Sequence, residues 1–168
     1  MNVLLIVDPQ IDFISGSLAV EGAAQAMDKL AVWMKANHHL YQSIVITMDQ
    51  HPADHCSFER EGGIWPPHCV RYSVGAAIYP VITSVVSDLM AQGYPVEYVE
   101  KATRREVEEY SAFANHVPAS FTLAEKIYVA GIAGDYCVKQ SVEDLALHGL
   151  GKKLELLEDF IPYIHPKA

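Results

Sequence analysis

Ile127-Tyr128-Val129-Ala130-Gly131-Ile132-Ala133-Gly134-Asp135-Tyr136-Cys137-Val138 is the stretch that decides how this chain folds. Its first four residues are a short, continuous apolar run. Such a run suits a strand covered on both faces, as in a parallel sheet, better than a strand with one wet face. Gly131 and Gly134 then permit a tight turn. From Val138 to Leu147 apolar residues recur at helical spacing. Strand, turn and helix in that order are half of a βαβ unit.

The same signature repeats outward from this segment. Val3–Val7, Ile44–Thr47, Val96–Val99 and Leu154–Leu157 are further apolar runs. Between them lie helical patterns at Ala23–Ala36, with Met27, Leu30, Ala31 and Met34 on one face, and at Ile82–Met90. Strands alternating with helices imply a layered α/β domain with a mostly parallel sheet. Residues 1–168 show no internal repeat, no low-complexity segment and no boundary, so one domain is expected.

Composition narrows the function classes. Of the 168 residues 51% are hydrophobic, enough for a sizeable core. A formal net charge of −9 argues against a nucleic-acid backbone binder, which would carry a basic footprint. No stretch approaches the roughly 20 apolar residues of a membrane span. The N-terminal run lacks the basic flank of a signal peptide. A cytoplasmic location is the default expectation. Three cysteines, Cys56, Cys69 and Cys137, do not describe a disulfide framework.

Polar residues cluster where strands end. Asp8 follows the first strand, Asp49 and His51 the second, Lys101 the third, and Gly131–Cys137 the fourth. In open α/β sheets the carboxyl edge is where ligands bind. Chance is the competing explanation, since loops are polar anyway. Cys137 sits at a helix start, where the dipole stabilises a thiolate and free N–H groups can hold an oxyanion. Its bland alternative is a buried core thiol. Asp8 could accept the thiol proton and Lys101 could balance both charges. Their bland alternative is an ion pair at the sheet edge.

Met48–Gly75 is longer than loops of compact domains usually are, and it is stiffened by Pro52, Pro66 and Pro67. With Phe58 and Trp65 in it, it is expected to be ordered. Asp49-x-His51, His55 and His68 offer oxygen and nitrogen ligands suited to zinc, iron or manganese. Two alternatives stand beside this: scattered loop histidines, and a structural zinc on Cys56 and Cys69, whose spacing matches no standard knuckle. His38, His39 and His165 read as exposed polar residues.

Taken together, the motifs resemble the isochorismatase-like cysteine hydrolases, and within them the nicotinamidases and pyrazinamidases. The resemblance is carried by Leu5-Ile-Val-Asp8-Pro-Gln-Ile-Asp12-Phe13, Gly16-Ser-Leu-Ala-Val20, Thr47-Met-Asp49-Gln-His51-Pro-Ala-Asp-His55, Trp65-Pro-Pro-His68-Cys69, Lys101 with Tyr110-Ser-Ala-Phe113, and Gly131-Ile-Ala-Gly-Asp-Tyr-Cys137-Val. It runs from residue 1 to about residue 160, and several motifs agree in order.

The resemblance implies a three-layer α/β/α sandwich. It implies that Cys137 attacks an amide carbonyl and forms a thioester, that Asp8 moves the protons, and that Lys101 supports both. The N–H groups of Ala133 and Cys137 would form the oxyanion hole, with a cis bond at Ile132–Ala133. Asp49, His51 and His68 would hold one divalent metal ion, zinc first among zinc, iron and manganese, that binds the pyridine nitrogen of nicotinamide. His55 aligns with a ligand in some members and a non-ligand in others. Phe13, Trp65, Tyr110 and Tyr136 would line the substrate pocket.

Departures are local. Tyr136 stands where many relatives carry His, and Gln50 where Trp is common. The family usually continues beyond the last strand with a further helix, whereas this chain stops at Ala168. That implies a trimmed domain or a surface covered by another copy, in keeping with a homo-oligomer. The alternative function is a family amidase acting on a ureido or carbamoyl compound; such relatives generally lack the Asp-x-His…His set. A catalytically silent protein keeping the fold is the third reading, opposed by intact Asp8, Lys101 and Cys137.

Overall fold

The computed structural model describes residues 1–166. The last two residues of the expected 1–168 domain lie outside them. Five strands form one parallel sheet: β1 (Asn2–Val7), β2 (Ser43–Asp49), β3 (Val96–Lys101), β4 (Lys126–Gly131) and β5 (Leu154–Leu156). Their spatial order is β3-β2-β1-β4-β5. The chain first builds away from β1 on one side and then returns to build on the other. The order therefore reverses between β1 and β4, the crevice where doubly wound sheets bind ligands.

Successive residues of a strand point to opposite faces, and here both faces are dry. Leu4 and Ile6 of β1 and Ile44 and Ile46 of β2 enter one core, covered by α2 (Ala23–Ala36) and α3 (Pro80–Ala91). Val3, Leu5, Val7 and Val45 enter the second, covered by α4 (Ala119–Leu123) and α5 (Cys137–Leu147). A short α1 (Ile11–Ile14) follows β1. The result is the expected α/β/α sandwich. Amphipathic α2 spans the very residues that its periodicity marked.

Two expectations need correction. β3 and β5 are not covered on both faces: Glu97, Tyr98 and Glu100 are exposed, as are Glu155 and Leu156. Both strands are sheet edges, so continuous apolar runs overstate their burial. His38 is half-buried rather than exposed, with Nδ1 3.0 Å from the Tyr94 hydroxyl.

The glycines of the β4–α5 turn have two different reasons. Gly131 has φ of 123°, and a Cβ there would lie 2.2 Å from the Val7 carbonyl oxygen. Gly134 is needed for space alone, because a Cβ would meet the Tyr163 ring at 2.5 Å. The first lets β4 run against β1; the second lets the chain's last segment pack on the turn.

Candidate active site

Residue types that follow four strands converge in the β1/β4 crevice. Asp8 adopts φ of 47°, a left-handed conformation costly for a residue with a Cβ. That turn sends its carboxyl into the crevice. The Thr47 hydroxyl donates to Asp8 Oδ1 at 2.7 Å and accepts from the Asp8 N–H at 3.2 Å. Asp8 Oδ2 accepts no well-directed hydrogen bond and faces Lys101 Nζ at 2.9 Å.

Lys101 is the hub. Its Nζ lies 2.5 Å from Asp49 Oδ1, 3.2 Å from the Glu109 carbonyl and 3.5 Å from Cys137 Sγ. Burial opposes its charge, but Asp49 and Asp8 outweigh burial and hold its pKa well above the usual lysine value. It is therefore an ammonium at every physiological pH. Two buried carboxylates sharing one ammonium do not titrate alike. Burial pushes Asp8 up, against the pull of Lys101 and with the push of Asp49. Asp49 is also buried, yet Lys101 and His51 carry it well below the carboxylate range. Asp49 stays ionised, whereas Asp8 is held nearer its protonated form.

Cys137 is the first residue of α5, and its thiol tops the second core. The expected stabilised thiolate is not what the protein's own groups produce. Burial raises the thiol well above its ordinary value, Lys101 opposes this, and Asp8 and Asp49 reinforce it. At rest the sulfur keeps its proton. A ligand oxygen of Asp8, one of Asp49 and Cys137 Sγ all lie within 4.8 Å of one another. This trio could in principle hold a cation, but Lys101 Nζ already fills that role. The peptide between Ile132 and Ala133 is cis. Neither the Ala133 nor the Cys137 N–H donates to a protein acceptor among the described residues, which leaves both free for an oxyanion.

The second cluster is formed by loop closure. His51 pairs with the strand-like segment at Val70: the His51 N–H donates to the Cys69 carbonyl at 3.0 Å, and the Arg71 N–H to the His51 carbonyl at 2.8 Å. That brings His68 beside His51 although they are 17 positions apart in sequence. The buried Phe58 ring supports both from below, with ring centroids 5.5 Å from each. Asp49 Oδ2 is 3.4 Å from His51 Nε2 and 4.0 Å from His68 Nε2, and the two Nε2 atoms are 3.2 Å apart.

This donor set fits a divalent ion. Ligands about 2.0–2.1 Å from zinc sit roughly 3.3 Å from one another in a tetrahedron. The Nδ1 atoms face carbonyls, Ala102 at 3.0 Å for His51 and Pro66 at 2.8 Å for His68. Each Nδ1 therefore carries the proton and each Nε2 offers a lone pair. Two lone pairs that close repel unless a cation lies between them. Burial lowers His68; burial also works against charge on His51, but the hydrogen bond and charge of Asp49 prevail and raise it. A proton on His51 is thus the ion's competitor, and metal affinity should weaken as pH falls.

His55 is not part of the cluster. Its Nδ1 engages Ser57 Oγ at 2.7 Å and its Nε2 the Val107 carbonyl at 2.8 Å, while its ring stacks on His51 at 4.1 Å. His51→Ala or His68→Ala should drop bound metal far below one ion per chain, whereas His55→Ala keeps it. Elemental analysis of the purified variants decides this, and metal loss in all three alike would restore His55 as a ligand. Cys56 and Cys69 form no ligand group among the described residues; Cys69 is buried in the loop, which raises its thiol far above the usual value.

A small cleft opens onto Cys137 of the first cluster and onto Asp49 and His68 of the second. Phe13, Trp65, Tyr110 and Tyr136 line it together with Ala133, Cys137, Asp49 and His68. Trp65 meets Tyr136 edge-on at 5.0 Å and donates to the Tyr110 hydroxyl at 3.2 Å. Sequence reasoning missed three lining residues, Leu18, Glu108 and Ile164. Ile164 lies beyond the last strand, held there because the Asp135 carboxylate accepts from the N–H groups of Ile164 and His165 at 2.9 and 2.8 Å. No local pattern announces such a contact.

An α/β sheet with an acid, an ammonium and a thiol at its switch point defines a cysteine hydrolase in architecture. Residues 2–151 match the isochorismatase domain family, and the chain belongs to it. It is 34% identical over 166 residues to the nicotinamidase/pyrazinamidase of Mycobacterium tuberculosis, covering 92% of this chain and 83% of that one. It resembles the yeast nicotinamidase bound to the inhibitor nicotinaldehyde at a TM-score of 0.85 and 26% identity, covering 99% and 90% of the two chains. The pyrazinamidase of Pyrococcus horikoshii in complex with zinc is similar at a TM-score of 0.77 and 28% identity, covering 98% and 88%.

Proposed function

We propose that this protein hydrolyses nicotinamide to nicotinate and ammonia through a thioester on Cys137. The observation that carries this reading is that Lys101 joins Asp8 and Cys137 to Asp49, whose carboxylate faces His51 and His68, while Cys137, Asp49 and His68 line one cleft. The first set can break an amide. The second can hold a divalent ion, which would supply a Lewis-acid position for a ring nitrogen beside it. The resemblance to nicotinamidases across nearly the whole chain supports the same substrate.

In this reading Cys137 Sγ attacks the carboxamide carbon while Asp8 takes the thiol proton. Asp8 already inclines toward the protonated form, and its Oδ2 has no other hydrogen bond to give up. The oxyanion is received by the Ala133 and Cys137 N–H groups, with no reorganisation of the backbone. Asp8 returns the proton to the departing nitrogen, and ammonia leaves with the C–N electron pair. Water then attacks the thioester, Asp8 takes its proton, and the C–S bond breaks to release the acid and restore the thiol. Lys101 keeps Asp8 in register and offsets charge as it moves.

Asp49, His51 and His68 would hold one divalent ion, zinc in this reading, which when bound supplies a Lewis-acid position for the pyridine nitrogen. Phe13 and Trp65 would wall the ring. A cytoplasmic location, the default expectation from the sequence, and association with further copies of the chain, implied by the resemblance, belong to the same reading. Among the described residues no helix is long and apolar enough to cross a membrane.

The test is ammonia release from nicotinamide beside a panel of ureido and carbamoyl compounds, with metal analysis of the same sample. Nicotinamide should be preferred by orders of magnitude, and treatment with a chelator should remove most turnover until zinc is restored. Faster turnover of a ureido compound would transfer the reading to the alternative substrate class. A metal-free preparation at full activity would end the role given to the histidines.

A further inference from the structure

We propose that Gln10 is the positioning residue of the metal half of the cleft: its side-chain amide fixes the backbone of Asp49, and with it the direction in which the Asp49 carboxylate faces His51 and His68. The proposal rests on the metal reading above and adds to it a residue that touches neither metal nor substrate.

The geometry begins with a ladder that ends early. β1 and β2 pair through Val7 and Thr47, and the Asp8 N–H still donates to the Thr47 carbonyl at 3.1 Å. There β1 leaves the sheet, because Asp8 turns into the left-handed region and Pro9 follows. β2 continues for two more residues to Asp49. On its other edge Asp49 pairs with Lys101. Toward β1, the Asp49 N–H and carbonyl face a strand that is no longer there. Buried backbone groups do not stay unpaired.

The Gln10 side chain takes the missing strand's place. Its Oε1 accepts from the Asp49 N–H at 2.8 Å, and its Nε2 donates to the Asp49 carbonyl at 2.7 Å. One amide thus reproduces both bonds that a neighbouring peptide would make. The second Nε2 hydrogen reaches the Ala76 carbonyl at 2.9 Å. Gln10 is fully buried, and its own backbone bridges to Ile78. Every hydrogen-bonding atom of the amide is used, so the side chain has one orientation.

What this orientation controls is Asp49. The carboxylate is split between two tasks, Oδ1 on Lys101 and Oδ2 toward the two histidine nitrogens. Both tasks depend on the backbone angle of one residue at the end of a strand, where fraying is easiest. Groups that orient a metal ligand typically govern affinity by about 10–100-fold when removed. The arrangement also ties the metal ligand to the strand end that carries Asp8, two residues before Gln10.

The experiment uses the full chain stripped of metal, with Gln10→Glu, Gln10→Met and the milder Gln10→Asn. Gln10→Glu keeps the acceptor but turns an oxygen toward two carbonyls. Zinc affinity is measured by competition with a chromophoric chelator, the visible spectrum of the cobalt(II)-loaded protein reports ligand geometry, and melting in chelator reports the fold. The expected result is a zinc dissociation constant raised about 10–100-fold, with a cobalt spectrum altered from the parent's, in variants that still melt cooperatively. A purely structural Gln10 would lower the melting temperature and leave zinc affinity and the cobalt spectrum unchanged, and that outcome overturns the proposal. A parent chain that binds no zinc overturns the metal reading itself, and the role of Gln10 with it. Should the harsher substitutions prevent folding, Gln10→Asn decides by the same two readouts.

Discussion

Ammonia release from nicotinamide is expected to fall by about 10⁴-fold when Cys137 is replaced by alanine, as losses of nucleophiles in hydrolases do. No other group is placed to substitute. Cys69 is sealed in the loop with a strongly raised thiol, and Cys56 lies outside the cleft lining. Lys101 Nζ is held as an ammonium between two carboxylates and has no lone pair to offer. The substitution removes one sulfur atom from the edge of the second core, at a cost of roughly 1 kcal/mol. Melting should therefore stay close to that of the parent, and metal content should be unchanged. A variant that keeps a few per cent of turnover would remove Cys137 from its role and leave direct attack by water as the chemistry to examine.

The largest effect on stability belongs to Lys101. Lys101→Met takes the ammonium from between Asp8 and Asp49, both of which are buried. Breaking a buried ion pair from one side costs about 3–5 kcal/mol, because the remaining charge has no water to turn to. Activity should be lost in the same variant. The pH dependence follows from the direction of the shifts. In the parent, burial raises Asp8 while Lys101 opposes it, and burial of Asp49 is overcome by Lys101 and His51. Without Lys101 both carboxyls move up, so the native state binds more protons than the unfolded chain. Stability of the variant then falls as pH rises from the ordinary carboxyl range through the raised values. Urea denaturation in chelator should show a small deficit against the parent near pH 5 and a larger one near pH 8. A deficit that grows in acid would mean that Lys101 is not what keeps these two carboxylates charged.

How much of this was legible beforehand differs by residue. Asp8 follows an apolar run directly, and Asp49 and Lys101 follow theirs after one more residue, so the end of the run announces them. Cys137 was legible as a helix start but ambiguous in role, and its distance to Lys101 is what sets it apart from an ordinary core thiol. The histidines show where local reading stops. His55 and His68 look equivalent in a string of letters. Ser57 and the Val107 carbonyl claim one, whereas a strand-like pairing with His51 delivers the other. Both outcomes depend on contacts across the loop or beyond it. Thr47 and Gln10 were invisible for a related reason: one reads as part of a strand and the other as part of a turn, and their work is done on neighbouring strands. The edge strands β3 and β5 were legible as strands but not as edges, since strand order is a property of the whole sheet.

Gly131 carries a consequence for how such a cleft can change over time. The absent Cβ at that position lets β4 lie against Val7, and the residues next along the two strands lead to Asp8 and toward Cys137. The spacing between strands is therefore the ruler that sets the two reactive groups apart. The aromatic wall can drift toward other substrates by exchanging rings on loops. The seam between β1 and β4 has no such latitude, because its tolerance is smaller than one carbon atom. Change is therefore open at the rim of the cleft and closed along the seam between β1 and β4.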